Sequence, residues 1–557
     1  AAAALAVAAL YVGPAGAAQS AAPTVATAEN PVTHKDNDRV PKGAAWTQHY
    51  FPSSDDSGTE LHADVLRPEK LPKGKKVPVI LSVGAYFGHS GELKDEKWKH
   101  TGPSARFKDL VEEGDLLDRG YALVQVDLRG FGGSTGCLDY MGKGEQADVK
   151  AAIDWAAKQP WSTGKVGMYG KSYDATTALV GNNLDQDALK AVVAQEPNWD
   201  MYRSVRSNRV PQLAGVLAPN TYNQTAQLPP LPDDQKRYKK NNQYELKHPE
   251  CAALNSDNSL KADPEDPYWQ QRDLAKHAQG TDTPLFVTQG FIESTTKPEA
   301  MQEYLAGHQG PERGWLGQWD HVRGNDRTED GRLEMGRAGW FKEVMSFYDQ
   351  HLKGIDPKTD HPAFAIQDST GAWRTQDTWP VSDRAAGVEL RDGSYVDQGK
   401  PGDSASFITW SEPVERDVRI TATPRIEMDT KGSGNVMVKL YDVAPDGSAV
   451  MFDEQVALVD ATGHVAMDLK STDWRLAAGH SLAVEIGTIQ DGAWIDTPTG
   501  DHIKVTNARL HLSVDDPADD QTTEGKRSPY LDTYVKTYTK KKLTEQPPSF
   551  TVPPARD

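Results

Sequence analysis

Between residues 77 and 319 the chain repeats one alternation. A short, almost unbroken apolar run is followed by a stretch with helical spacing. The apolar runs are "VPVILSVGAY" (77–86), "YALVQVDLRG" (121–130), "KVGMYG" (165–170), "LKAVVAQ" (189–195), "TPLFVTQG" (283–290) and "RGWLGQW" (313–319). A strand with one wet face alternates apolar and polar residues. Strands that are apolar throughout are buried on both faces, the condition of a parallel sheet covered by helices. The intervening segments fit helices. In "GEQADVKAAIDWAAKQ" (144–159), Val149, Ala152, Ile153 and Ala156 share one face. "GWFKEVMSFYDQHLKG" (339–354) ends on Gly354, a residue suited to closing a helix. Strand–helix alternation of this kind reads as an α/β domain, assigned to residues 41–360.

The connection between Gln195 and Pro284 is too long for a loop in a compact domain. It is rich in Pro, Asn, Tyr and Asp and holds several helical stretches, so it reads as a cap inserted at about 196–282. Beyond residue 361 the texture changes. Segments such as "DVRITATPRIEM", "NVMVKLYDV" and "IKVTNARLHLSV" alternate apolar and polar residues, and "PDG" (445–447) marks a hairpin turn. Residues 361–515 are therefore expected to form an all-β jelly roll. Residues 516–557 run from acidic to Lys-rich to Pro-rich and are expected to be a poorly ordered tail.

The first residues, "AAAALAVAALYVGPAGAAQS", carry an apolar run too short to span a bilayer, with the small residues "AGA" at 15–17. They read as the remnant of a secretory signal (1–17) followed by a linker (18–40), which implies a secreted protein. No later segment has the length and apolarity of a membrane span, and no cysteine follows the leader to carry a lipid. The net charge of −19 over 557 residues repels a phosphate backbone, so nucleic acid is excluded as a partner. Cys137 and Cys251 are the only cysteines; in an exported chain such a pair most simply forms one disulfide. No His or Cys spacing marks a metal site.

The stretch "KVGMYGKSYDATTALVGN" (165–182) carries the chemistry. An apolar strand ends near Gly170, Ser172 follows, and a helix-compatible run begins directly behind it. A strand, a sharp turn with serine, and a helix make the nucleophile elbow of an α/β-hydrolase, in which the helix N-terminus faces developing negative charge. The usual G-x-S-x-G has lost its second glycine to Asp174. A serine nucleophile needs a base, and the base needs an orienting acid, in the chain order serine, acid, histidine. Glu293 follows the strand ending at Gly290, and Asp320-His321 follows the strand 313–319. Ser172, Glu293 and His321 are thus the candidate triad, with Asp320 a rival acid.

Three motifs extend this reading. They are "DLRGFGGSTG" (127–136), "WAAKQPWSTGKVGMYGKSYDA" (155–175) and "GQWDH" (317–321). With them the chain resembles the X-prolyl dipeptidyl-peptidase and cocaine esterase group of α/β-hydrolases, whose C-terminal domain is a jelly roll. The resemblance implies Ser172 as nucleophile, His321 as general base, and Glu293 where the group usually has Asp. Ala175 stands where Gly is usual. It implies an oxyanion hole made by the backbone N–H of Tyr173 and the hydroxyl of Tyr86, with Asp127 and Arg129 holding the adjoining loop. "EPNWDMYRSVRSN" (196–208) resembles the W-x-D-x-Y-R segment of the X-prolyl peptidases. Glu196 and Asp200 are therefore candidates for binding a substrate amine, and Trp199 and Tyr202 for walling a proline pocket. The carboxylate cluster with which α-amino-acid ester hydrolases bind an amine is missing, since Ser294, Thr295 and Thr296 follow Glu293.

The first expectation is a secreted serine hydrolase that releases N-terminal X-Pro dipeptides from small peptides. The second is an esterase or acylase using the same machinery. The third, from another class, is a binding protein with an inert hydrolase domain. None requires a cofactor, and the sequence leaves a homo-oligomer open.

Overall fold

The computed structural model describes residues 39–91 and 98–556. The expected leader and nearly all of the expected linker lie outside the described residues. Strands β1 (Ala44–Pro52), β2 (Glu60–Pro68), β3 (Val77–Gly84), β4 (Ala122–Asp127), β5 (Ser162–Lys171), β6 (Leu189–Gln195), β7 (Leu285–Gly290), β8 (Glu312–Gly317), β9 (Phe364–Gln367) and β10 (Trp373–Gln376) join one sheet. Their spatial order is β1-β2-β4-β3-β5-β6-β7-β8-β9-β10. The centre, from β4 through β9, is parallel. Antiparallel strands close both ends.

The six apolar runs are six of the seven parallel strands, β3 to β8, and all eight residues of β3 are buried. Alternate residues of β3 serve opposite layers. Val79, Leu81 and Val83 pack with Val149, Ile153 and Leu179 of the helices Lys143–Ala157 and Tyr173–Asn183. Ile80 packs on the other side with Trp340, Val344 and Tyr348 of the helix Trp340–Tyr348. Each such side chain contributes about 1.5–3 kcal/mol when fully buried, so both faces of the sheet are committed to helices. Connections at the strands' C-terminal ends are left free to build a site, as parallel α/β sheets generally do.

Between β6 and β7 the chain makes a helical excursion whose longest helices are Leu213–Ala226 and Pro249–Ser259. A disulfide between Cys251 in this excursion and Cys137 in the loop after β4, with Cα atoms 5.2 Å apart, ties the excursion to the sheet domain. The C-terminal part forms two antiparallel sheets. One contains Arg384–Glu389, His502–Asp515, Val418–Lys431 and Thr462–Asp468; the other contains Ser406–Trp410, Ser481–Gly487, Gly434–Val443 and Ala449–Val459. Ile420, Ile426 and Leu510 of the first sheet share a core with Val438, Leu440 and Val484 of the second.

Two expectations about the chain's organisation are corrected. The sheet domain does not stop at residue 360: the buried strand Phe364–Gln367 pairs in parallel with β8, and Trp373–Gln376 pairs with it in turn. Nor is the chain after Asp515 a loose tail. Gln521–Thr522 pairs with β10, the helix Pro529–Tyr538 buries Leu531 and Tyr534, and Thr539–Lys540 extends the second C-terminal sheet. Charged and Pro-rich composition hides this because only a few residues are needed to satisfy exposed sheet edges.

Candidate active site

β5 runs into Ser172, whose φ of 64° and ψ of −124° turn the chain sharply before the helix Tyr173–Asn183 begins. A non-glycine residue held there costs on the order of 1–3 kcal/mol, strain that surrounding bonds must hold in place. Ser172 N donates to Gln195 O (2.9 Å), and Ser172 O accepts from Thr176 N (2.9 Å) and Thr176 Oγ1 (3.1 Å). Gly170 is required by the turn, since a Cβ there would lie 2.1 Å from Asp174 O. Asp174, in the place of the second glycine, is buried and forms an ion pair with Arg106. The Arg106 guanidinium also donates to Lys171 O (3.0 Å) and lies 3.9 Å over the Tyr86 ring. The departure from G-x-S-x-G thus has a structural use: it anchors the arginine that seats Tyr86.

The Tyr86 hydroxyl is hydrogen-bonded to the hydroxyl of Tyr222 (2.7 Å), which comes from the helix Leu213–Ala226. Burial raises its pKa above the ordinary phenol value although Arg106 pulls the other way, so the hydroxyl keeps its proton and can donate. Tyr173 is the first residue of its helix, where a backbone N–H has no acceptor within the helix. Its phenol is buried and donates to Glu145 (2.9 Å). Asp127 accepts from Gly133 N (2.8 Å) and Arg129 pairs with Asp148 (2.8 Å), which places both in the loop's framework.

Glu293 lies beyond the end of β7 and His321 beyond the end of β8, with His321 Nδ1 3.0 Å from Glu293 Oε1. Thr296 N (2.6 Å), Thr296 Oγ1 (2.6 Å), Thr295 N (3.0 Å) and Gln289 Nε2 (3.1 Å) also donate to the Glu293 carboxylate. Burial opposes its charge, but the facing imidazole and the Thr296 donors outweigh this and hold the carboxyl below its usual range. The imidazole's ion pair runs to Glu293 and not to the rival acid Asp320, whose buried Oδ1 has no hydrogen-bond partner among the described residues. With Nδ1 taken by Glu293, Nε2 is the ring nitrogen left for proton exchange. Because β5, β6, β7 and β8 are consecutive neighbours, Ser172, Glu293 and His321 share one edge of the sheet.

The expected amine and proline contacts are not assembled there. Glu196 is fully buried beneath the acid and accepts from Gly290 N (2.9 Å), Trp319 Nε1 (2.9 Å), Gln289 Nε2 (3.2 Å) and Thr288 Oγ1 (3.2 Å). Burial and then the Glu293 charge raise its carboxyl well above the usual range. Trp199 is a core residue whose Nε1 donates to Gln289 Oε1 (2.8 Å). Asp200 caps the helix Met201–Val205 through Tyr202 N (2.8 Å), and the Tyr202 hydroxyl donates to Ala262 O (2.8 Å). Both line a separate cavity between the helical excursion and the C-terminal sheets. The motif W-x-D-x-Y-R therefore builds the excursion's foundation. The cavity that opens on Ser172, about 120 Å³, is walled by Tyr140, Tyr222, Tyr268, Trp269, Val205 and Pro219, and no carboxylate lines it.

Sequence reasoning missed Tyr222, Arg106 and Thr296. Asp174 at the glycine position was the available signal for Arg106, because a buried carboxylate requires a partner. Tyr222 carried no signal, since its helix reaches the site only through the fold.

A strained serine at a strand–helix turn, with an acid–imidazole pair on neighbouring strand ends, defines a hydrolase of the α/β type. Residues 57–323 match the family described as X-Pro dipeptidyl-peptidase (S15 family). A Streptomyces avermitilis protein provisionally named a Xaa-Pro dipeptidyl-peptidase is 26% identical over 383 residues, covering 64% of this chain and 52% of that protein. The chain thus matches about half the length of that relative. The cocaine esterase of Rhodococcus sp. (strain MB1 Bresler) is 22% identical over 546 residues, covering 77% of this chain and 88% of its own. Among solved structures, an α-amino acid ester hydrolase superposes with a TM-score of 0.63 at 16% identity, over 89% of this chain and 100% of that one, and so shares the fold. Among the described residues no helix is long and apolar enough to cross a membrane.

Proposed function

We propose that the protein is a secreted serine hydrolase that removes N-terminal X-Pro dipeptides through an acyl-enzyme on Ser172. The observation that carries the chemistry is the elbow itself: Ser172 at φ 64°, on the same sheet edge as the 3.0 Å Glu293–His321 pair. His321 takes the Ser172 proton as Oγ attacks the carbonyl. The tetrahedral oxyanion is held by Tyr86 and by the backbone N–H of Tyr173. His321 then protonates the leaving amine, and water repeats the cycle. Preference for proline rests on the family and on its relatives' names, and the small aromatic cavity is compatible with a pyrrolidine ring. In this reading the C-terminal sheets form a jelly roll that braces the helical excursion, supported by the Asn208 Nδ2–Val456 O bond (2.9 Å).

A second reading, an ester or amide acylase, is favoured by one observation: the cavity's lining is neutral, whereas a cationic peptide N-terminus is bound most strongly by a carboxylate. Chromogenic X-Pro anilides, X-Ala anilides and simple aryl esters, assayed with a Ser172→Ala control, separate the two. The peptidase reading expects turnover of X-Pro anilides well above the others. Turnover of aryl esters alone overturns it, and no turnover of any of them, with no covalent labelling, returns the inert-domain reading.

A further inference from the structure

Beneath the loop that carries Tyr86 lies a buried group that the hydrolytic site does not use: His62, Asp64 and His89, each at most 1% exposed. His62 and Asp64 are two residues apart on β2 and so face the same side of the sheet. Gln48 of β1 is in register opposite Asp64, and His89 comes from the loop after β3. His89 Nε2 is 3.1 Å from Asp64 Oδ2, and His62 Nε2 is 4.0 Å from Asp64 Oδ1 and 3.2 Å from Gln48 Oε1. One ligand atom from each of His62, Asp64 and His89 lies within 4.8 Å of the others.

The outer contacts have a direction. His62 Nδ1 is bonded to Asp127 Oδ2 (2.8 Å) and His89 Nδ1 to Asp234 Oδ1 (2.6 Å). A carboxylate on Nδ1 fixes the proton there and turns the Nε2 lone pair toward the centre; metal-ligating histidines are commonly oriented this way. Both imidazoles present this arrangement toward the same carboxylate. The charge count agrees. Asp64, Asp127 and Asp234 place three carboxylates around two imidazoles, and a divalent cation between neutral rings neutralises them as well as two extra ring protons would.

We propose that His62, Asp64 and His89 form a binding site for a divalent transition-metal ion, with Gln48 Oε1 beside it as a further oxygen. Two imidazoles and one carboxylate are the donor set of zinc, whose ligand distances of about 2.0–2.2 Å require the three side chains to close slightly on the ion. The ligands come from separate segments of the chain, which is why no linear spacing announced them. The site would fasten three things together: the β1–β2 hairpin, the loop bearing Tyr86, and the helical excursion through Asp234. Tyr238 of the excursion already stacks on His89, with ring centroids 4.0 Å apart. Its role is structural and independent of the identity of the hydrolysed substrate.

The test is metal content, not activity. The full chain is produced in zinc-supplemented medium, purified, dialysed and analysed by elemental emission. The expected result is about one zinc per chain in the unaltered protein and in Ser172→Ala, falling below about a tenth in His62→Gln/His89→Gln. If that double variant fails to fold, Asp64→Asn, which keeps the side chain's shape, is expected to lose the metal likewise. Production with cobalt(II) is expected to give visible d–d absorption that the variants lack. Unaltered protein holding less than about a tenth of an equivalent of zinc, with a melting temperature unmoved by added zinc, overturns the proposal. Zinc retained equally by the variants also overturns it.

Discussion

Replacing Tyr86 by Phe removes one hydroxyl and little else. The ring stays over Arg106 at 3.9 Å, and the backbone of the loop is unchanged. One hydrogen bond is lost, that to Tyr222 (2.7 Å). The Tyr222 bond is worth about 0.5–1.5 kcal/mol of stability, a modest fall in melting temperature. The catalytic effect is larger. If the hydroxyl faces the oxyanion, its loss removes about 2.7–4 kcal/mol of transition-state stabilisation, a fall in kcat of about 10²–10³-fold. Because the donor acts on charge that develops only in the transition state, KM is expected to change little. Steady-state kinetics on an aryl ester and an X-Pro anilide give kcat and KM separately. Tyr222→Phe is the companion variant: it breaks the same tyrosine–tyrosine bond but keeps the Tyr86 donor, so stability falls while kcat falls far less. Equal kcat losses in the two variants, or a Tyr86→Phe kcat within about threefold of the unaltered enzyme, would refute the assignment of Tyr86 to the oxyanion hole.

Asp174→Asn removes the carboxylate that pairs with the buried Arg106 guanidinium, expected to lower the urea-unfolding midpoint and to lower kcat as Tyr86 loosens; an unchanged unfolding midpoint contradicts this. Glu196, whose carboxyl is raised, binds more protons folded than unfolded, so its contribution is present below the unfolded value and is lost as pH rises through the folded value. Glu196→Gln mimics the protonated acid, and its melting temperature is expected to gain on that of the unaltered protein as pH rises from about 5 to 9; parallel curves would count against a protonated Glu196. Serine at both Cys137 and Cys251, which are 114 residues apart, is expected to remove up to about 4–5 kcal/mol of stability by chain entropy, read from denaturant midpoints with and without reductant.

The sequence was most informative where local and global demands coincide. β3 through β8 were legible because a strand buried on both faces has no choice but to be apolar. The places of Ser172 and His321 were legible because both sit where such runs end. The antiparallel hairpin β1–β2 was not, since "WTQHYFP" and "ELHADVLRP" mix buried polar residues into their strands, among them Gln48, His62 and Asp64. Those polar residues are tolerated because they pair with one another and with Trp46, His89 and Asp127, a pairing that no one-dimensional pattern displays. The same limit explains Glu196, Trp199, Asp200 and Tyr202. A motif reveals that residues are held together, but not whether they face the cavity or the core. Trp199 faces the core, and Glu196 lies buried behind Glu293 instead of facing a substrate amine as expected.

The proposed hydrolysis requires Ser172 to be the hydroxyl that His321 and Glu293 make nucleophilic. Incubation with a fluorophosphonate probe, followed by proteolysis and mass spectrometry, reads this directly. The expected result is a single phosphonylated site at Ser172, with labelling abolished in Ser172→Ala and strongly slowed in His321→Ala. Label on another serine, or labelling of Ser172 at the same rate without His321, would contradict it.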